Sequence, residues 1–152
     1  MTKKKNISIK NVKFGKNVTI IEPVNLYGCT LGDNCFVGPF VEIQKNVKIG
    51  KNCRIQSHTF ICENTVIGNN CFLGHSTVFI NDKFSNGKTL PSTGPFLKTV
   101  VGNNVLIGSN STIFPVKIES GVTIGAGAVV TKNCKKKNIY IGNPANILKK
   151  NL

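Results

Sequence analysis

An aliphatic or phenylalanine residue returns every six positions without a break at Leu31, Val37, Ile43, Ile49, Ile55, Ile61, Ile67, Leu73 and Phe79. Four residues after each of the first eight stands a small or β-branched residue: Cys35, Val41, Val47, Cys53, Thr59, Thr65, Cys71 and Thr77. Glycine often follows the aliphatic position directly, at Gly32, Gly38, Gly50, Gly68 and Gly74. Six residues make one short flat strand plus a corner, and three such units close a triangular coil of about 18 residues. Strands of successive coils then pair in parallel about 4.8 Å apart. The spacing therefore predicts an all-β fold, the left-handed parallel β-helix built from hexapeptide repeats.

Residues one coil apart must stack, so Leu31, Ile49 and Ile67 are expected in one interior column and Cys35, Cys53 and Cys71 in another. Asn34, Asn52 and Asn70 form a predicted corner ladder, because Asn tolerates a positive φ. The pattern resumes at Val101, Ile107, Ile113, Ile118, Ile124 and Val130, with the unit Ile113 to Lys117 one residue short. A weaker version precedes the main run at Phe14, Ile20 and Leu26. One domain of about six coils follows, over residues 7–81 and 100–134. Between them, residues 82–99 carry NGKTLPSTGP and read as a protruding loop. Long loops in compact domains are usually functional, although an insertion tolerated at a corner is the plainer alternative. Residues 135–152 read as a cap over the open end, with a short basic tail able to form a turn of helix.

The composition removes several function classes. No run of about 18 apolar residues occurs, so no membrane span is expected. The basic segment Met1 to Lys10 lacks the apolar run of a secretory signal, which makes a cytoplasmic location the default expectation. The net charge of +14 suits anionic partners, but the lysines are dispersed and no basic helix or aromatic-interleaved motif accompanies them. Phosphates of small molecules fit that charge better than nucleic acid. The cysteines are expected to be buried reduced thiols rather than disulfides or ligands. The chain has only two histidines, too few for a site that needs three imidazole ligands, so no metal is expected.

Candidate site residues follow from the stacking. Glu63 and Asn81 lie one coil apart, each two positions after an aliphatic residue, and Asn81 immediately precedes the loop. A polar pair at that place is where a substrate amino group is expected, with two exposed corner residues as the alternative. Lys45 lies one coil below Glu63, and Asp82 follows Asn81. His58 and His75 occupy corners of neighbouring units, where an imidazole is either a base or a solvated corner residue.

The run SHTFICENTVIGNNCFLGHSTVFIND, from Ser57 to Asp82, resembles the N-acetyltransferases that modify dTDP-linked 3-amino-3,6-dideoxyhexoses. The later runs VVGNNVLIGSNSTIFP, GAGAVVTKN and IGNPA are similar to the same family and to sugar acetyltransferases more broadly. The resemblance implies a homotrimer that binds acetyl-CoA in a groove between subunits and meets a nucleotide-linked amino sugar near the loop. Carried over by position, Asn81 and Glu63 contact the amine; from their own places in the coil, His58 is expected as a further catalytic residue and His75, Asp82 and Lys45 as substrate contacts. Ser109, Ala126, Ala128, Lys132 and Asn143 are then expected along the CoA track. The short unit at Ile113 and the cation Lys45 depart from the family pattern and bear on sugar selection.

A sugar amine with a pKa near that of an α-amino group, about 8, is partly neutral at pH 7.5 and needs no strong base to attack a thioester. A hydroxyl acceptor would need a histidine base. Two other readings remain at this stage: a hexapeptide acetyltransferase for a UDP-linked amino sugar or a hydroxyl acceptor, and a non-catalytic assembly or ice-binding β-helix. The repeated Thr pairs of an ice-binding face are missing, and an assembly subunit has no use for the loop and the polar corner beside it.

Overall fold

The computed structural model describes residues 8–91 and 94–148. The chain winds as a left-handed parallel β-helix with three flat faces, formed by sheets of seven, six and eight strands. Most strands are two residues long, because each side of the prism holds only one inward and one outward residue before the next corner. The inward columns are Leu26, Ile43, Ile61, Phe79, Ile113 and Val130 on face A, Leu31, Ile49, Ile67, Val101 and Ile118 on face B, and Val37, Ile55, Leu73, Ile107 and Ile124 on face C; all are buried. Burying each such side chain contributes about 1.5–3 kcal/mol. The seven strands of face A make seven coils, one more than the sequence repeat suggested. The added coil is the last, which Val129–Val130 opens on face A and Ile139–Ile141, in the stretch expected as a cap, completes on face C; the first coil, with Ile9 paired to Leu26, falls within the expected bounds. Ile7, the expected start, lies outside the described residues.

The small interior residues close each corner. Glycine after the aliphatic position brings successive backbones together: a Cβ on Gly50 would stand 2.7 Å from the Gly68 carbonyl. That carbonyl has a partner, because Cys53 Sγ donates to it at 3.1 Å, as Cys35 does to Gly50 and Cys71 to Gly102. Thr59 and Ser111 hydroxyls serve Gly74 and Gly125 in the same way, at 3.1 Å each. All six cysteines are buried free thiols, and Cys35, Cys53 and Cys71 cap glycine carbonyls. On the outside of the B to C corner, Asn17, Asn34, Asn52, Asn70 and Asn104 all have positive φ and pass side-chain hydrogen bonds of 3.0–3.3 Å up the stack. The expected ladder is present and is longer at both ends.

Every departure from the six-residue unit falls at one corner, between faces A and B. Five residues separate Ile9 from Phe14, Leu26 from Leu31 and Ile113 from Ile118, whereas Phe79 and Val101 are 22 apart. The other two corners keep their length throughout. At the far end, Ile139–Ile141 continues face C and pairs antiparallel with Asn146–Ile147. The cap therefore begins as a strand turned back on itself, and it covers the last edge with backbone hydrogen bonds. The end of the basic tail, residues 149–152, lies outside the described residues.

Burial pushes the thiols of Cys29, Cys62 and Cys134 up from 9.0 to about 11. The unfolded chain therefore ionises these groups first as pH rises, and the stability they provide is complete below pH 9 and lost towards pH 11. Urea midpoints measured from pH 8 to 11 should fall across that window, and a thiol reagent at pH 8 should label the native protein far more slowly than the unfolded one.

Candidate active site at the variable corner

The chain leaves the coil after the Val78–Phe79 strand and rejoins it at the Thr99–Val101 strand. The excursion is tied back at both ends. Both carboxylate oxygens of Asp82 accept loop N–H groups, from Phe84 at 2.9 Å and Leu90 at 2.7 Å. Leu97 donates its N–H to the Asn81 carbonyl at 3.1 Å, and Asn64 Nδ2 donates to the Phe96 carbonyl at 3.3 Å. Phe84 and Phe96 are thereby held over the corner. Beneath them lies a cavity of about 650 Å³, lined by Tyr27, Gln44, Lys45, Phe60, Cys62, Glu63, Phe79, Ile80, Asn81, Asp82, Phe84 and Phe96.

Its polar floor is a stack. Lys45, Glu63 and Asn81 occupy the same corner position in three successive coils, with Gly28 below them. Lys45 Nζ approaches Glu63 Oε2 at 3.4 Å; the lysine side chain is 55% exposed and the glutamate only 14%. The carboxylate is thus sunk in the cavity while its cation sits at the rim. Gln44 bridges inward from the coil below, donating Nε2 to Glu42 Oε1 at 3.1 Å and accepting the Glu63 N–H on Oε1 at 3.2 Å. Burial first, and then the nearby charges of Glu42 and Glu63, hold the Tyr27 phenol above its ordinary pKa, so it stays a neutral donor at physiological pH. Apolar walls, a half-neutralised carboxylate and an amide make a pocket suited to an uncharged or cationic polar group on a compact ring. Among the described residues no group of side chains could hold a metal ion.

The corner thus brings together Asn81, Glu63, Lys45 and Asp82. Asp82 is committed first to the shape of the loop, which the sequence did not reveal. His58 and His75 stand apart, at the corner between faces C and A, and neither lines this cavity. Within one chain the expected grouping of His58 with Asn81 and Glu63 does not form, because a whole side of the coil separates residue 58 from residue 63. The His58 ring stacks on Phe40 with centroids 4.8 Å apart. His75 Nδ1 lies 2.8 Å from Ser57 Oγ, and the ring remains exposed.

That second corner also holds residues expected on the CoA track. Backbone hydrogen bonds align His75 with Asn110 and Ser109 with Gly127, so Ser57, His75, Ser109 and Ala126 rise in one column, and Asn143 follows at its upper end. Ala128 turns inward and is fully buried, so only its backbone remains for contact; its N–H donates to the Gly125 carbonyl at 3.3 Å. Lys132 lies instead on the variable corner, exposed, two residues after Val130. Tyr27, Gln44, Phe60, Phe84 and Phe96 were not expected. The one-coil offset that linked Glu63 to Asn81 also links Tyr27, Gln44, Cys62 and Ile80, each one residue after an inward aliphatic or aromatic side chain, so the first two were legible; the loop phenylalanines were not.

Residues 28–63 match the bacterial transferase hexapeptide family model (six repeats), and residues 98–132 match the hexapeptide repeat of succinyl-transferase. No curated protein matches the sequence. Among solved structures, a variant of AntD, an N-acyltransferase from Bacillus cereus in complex with dTDP and coenzyme A, is 25% identical. It aligns over 92% of this chain and 81% of its own, with a TM-score of 0.69. A hexapeptide-repeat-containing acetyltransferase from Vibrio cholerae O1 biovar eltor, complexed with acetyl coenzyme A, is 24% identical over 80% of this chain and 70% of its own, with a TM-score of 0.66. LpxA, a UDP-N-acetylglucosamine acyltransferase from Bacteroides fragilis, shares the fold at 16% identity over 91% of this chain and 61% of its own, with a TM-score of 0.61.

Replacing Asp82 with Ala removes both anchors at the start of the loop. Limited proteolysis should then cut within residues 83–91 several-fold faster, while the thermal midpoint of the coil stays within a few degrees of wild type.

Proposed function

We propose that this hexapeptide-repeat acyltransferase moves the acetyl group of acetyl-CoA onto the amine of a nucleotide-linked 3-amino-3,6-dideoxyhexose, with dTDP as the nucleotide. The observation that carries the reading is the cavity at the variable corner, where a largely shielded carboxylate and an amide stack beneath an aromatic loop. The similarity to an N-acyltransferase solved with dTDP and coenzyme A supports both the nucleotide and the acyl donor. A sugar ring fits against Phe60, Phe84 and Phe96, and its amine reaches Glu63 and Asn81.

A sugar amine near pKa 8 supplies enough neutral form at pH 7.5 to attack. Glu63 accepts one N–H of the amine and Asn81 fixes the nitrogen's orientation, so that the lone pair points at the thioester carbonyl. Nitrogen bonds to the carbonyl carbon, a backbone N–H stabilises the oxyanion, and the carbon–sulfur bond breaks. The amine's proton ends on the departing sulfur, giving the amide and free CoA. His75, with Nδ1 engaged by Ser57, belongs to the corner of Ser109, Ala126 and Asn143 that we assign to the CoA track. Neither histidine acts as the base.

The working unit is a homotrimer. The outward side chains support this. Face B carries Lys13, Lys48 and Lys117 outward, whereas face C carries Phe36, Phe72, Leu106 and Ile139, with Arg54 between the first two and Thr123 between the last two; Leu106 and Ile139 are exposed. The apolar pair Phe72 and Leu106, in adjacent coils, is suited to burial against another copy. The CoA corner and the amine cavity lie at opposite edges of face A, and assembly in a trimer is what joins them, with CoA lying between subunits. We assign the activity to the cytoplasm, where nucleotide sugars and acetyl-CoA are made; no described helix is long and apolar enough to cross a membrane.

Thiol release from acetyl-CoA should occur with a dTDP-3-amino-3,6-dideoxyhexose and remain at the buffer rate with a UDP-linked amino sugar. Equal or faster release with the UDP sugar, or with the 4-amino isomer, contradicts the assigned acceptor. Asn81→Ala should lower kcat/KM by about 10- to 100-fold, or about 1.4–2.7 kcal/mol. His58→Ala and His75→Ala should each fall short of the roughly 100-fold loss expected for a general base.

A further inference from the structure

We propose that Lys48 and Lys98 hold the diphosphate of the nucleotide sugar, in a hollow that adjoins the amine cavity around the corner of the coil. The inference rests on the reading that the amino sugar enters the Glu63 cavity, and it assigns the other end of the same substrate. The hollow, of about 300 Å³, is lined by Asn46, Lys48, Asn64, Val66 and Lys98. It contains two cations and no carboxylate, whereas the cavity beside it is lined by Glu63 and Asp82 against the single cation Lys45.

The repeat generates this arrangement. Lys48 is registered opposite Val66, and Thr65 opposite Thr99, so Asn64 faces Lys98 in the coil above. The two lysines therefore bracket a single rung, one from the coil below and one from the coil above, with backbones roughly 10 Å apart. Two lysine side chains reaching inward from that separation leave room for one diphosphate over the Val66 floor. Both are exposed, and among the described residues neither is in an ion pair, since those present are Lys45 with Glu63 and Lys51 with Asp33. No internal carboxylate competes for them.

The two sites share a wall. Lys45 and Glu63 line the cavity, and Asn46 and Asn64, the next residues in the chain, line the hollow. Adjacent Cα atoms are about 3.8 Å apart, so a ligand crosses from one to the other over a single ridge. A sugar with its amine in the acidic cavity has its anomeric phosphate directed over that ridge. Charge is matched at both ends: amine against carboxylate, phosphates against ammonium groups. CoA also carries a diphosphate, and the test separates the two sources.

The test is steady-state kinetics of Lys48→Gln, Lys98→Gln and the double variant, with Lys117→Gln as a control on the same face. For the double variant the KM of the dTDP-linked amino sugar should rise about tenfold or more, with kcat and the KM of acetyl-CoA within twofold of wild type. The inhibition constant of free dTDP should rise in parallel, and added salt, which screens such contacts, should raise the wild-type KM more than that of the double variant. Lys117→Gln should behave as wild type. An unchanged KM for the nucleotide sugar overturns the proposal, as does a rise confined to acetyl-CoA, which would assign the lysines to CoA. Wild-type protein that acetylates no nucleotide-linked amino sugar removes the parent reading, and with it this one, before any variant is compared.

Discussion

Parallel backbone pairing between coils, at a separation too small for any side chain at the corner glycines, is the constraint on which this molecule depends. Gly32, Gly50 and Gly68 sit so close to the glycine of the next coil that a Cβ would lie within about 3 Å of its carbonyl. Such contact fixes both the height and the rotation of each coil relative to the last. Residues one coil apart then cannot avoid one another. Aliphatic side chains merge into columns, asparagines chain their amides, and interior thiols and hydroxyls meet glycine carbonyls that would otherwise be buried without partners.

The same rigidity explains where chemistry can be placed. Two corners repeat without change in length, and their interiors are filled by packing and carbonyl capping. The corner between faces A and B absorbs every shortened unit and the one long insertion. Freed from a fixed length, it can carry a loop with aromatic side chains over a polar stack. Lys45 reaches Glu63, with Asn81 next above, because the coil sets them one over another, and the glutamate can be sunk in the cavity because Lys45 and Gln44 supply partners for the carboxylate and its backbone N–H. A charge that deep without them would be costly.

Much of this was legible in the sequence, because a strict period converts position into space. The interior columns, the asparagine ladder, the buried thiols and the stacking of Glu63 with Asn81 all follow from counting. Counting failed where the period is imperfect. The five-residue units after Ile9 and Leu26 were not read as short, the second hiding in a corner tightened by Gly28 at φ 59°. The antiparallel cap leaves the repeat altogether. Asp82 was read as a substrate contact, but its position at the mouth of a long loop makes backbone N–H groups its nearest partners. The separation of His58 from Glu63 within one chain was implicit in the period, since five residues span one side of the prism.

The central claim is that Glu63 and Asn81 act as one unit on one amine because the coil stacks them. A double-mutant cycle in kcat/KM with Glu63→Gln and Asn81→Ala tests it most directly. The account predicts strong coupling, with the double variant little worse than the more damaged single variant. Losses that multiply would place the two side chains in independent roles and contradict it.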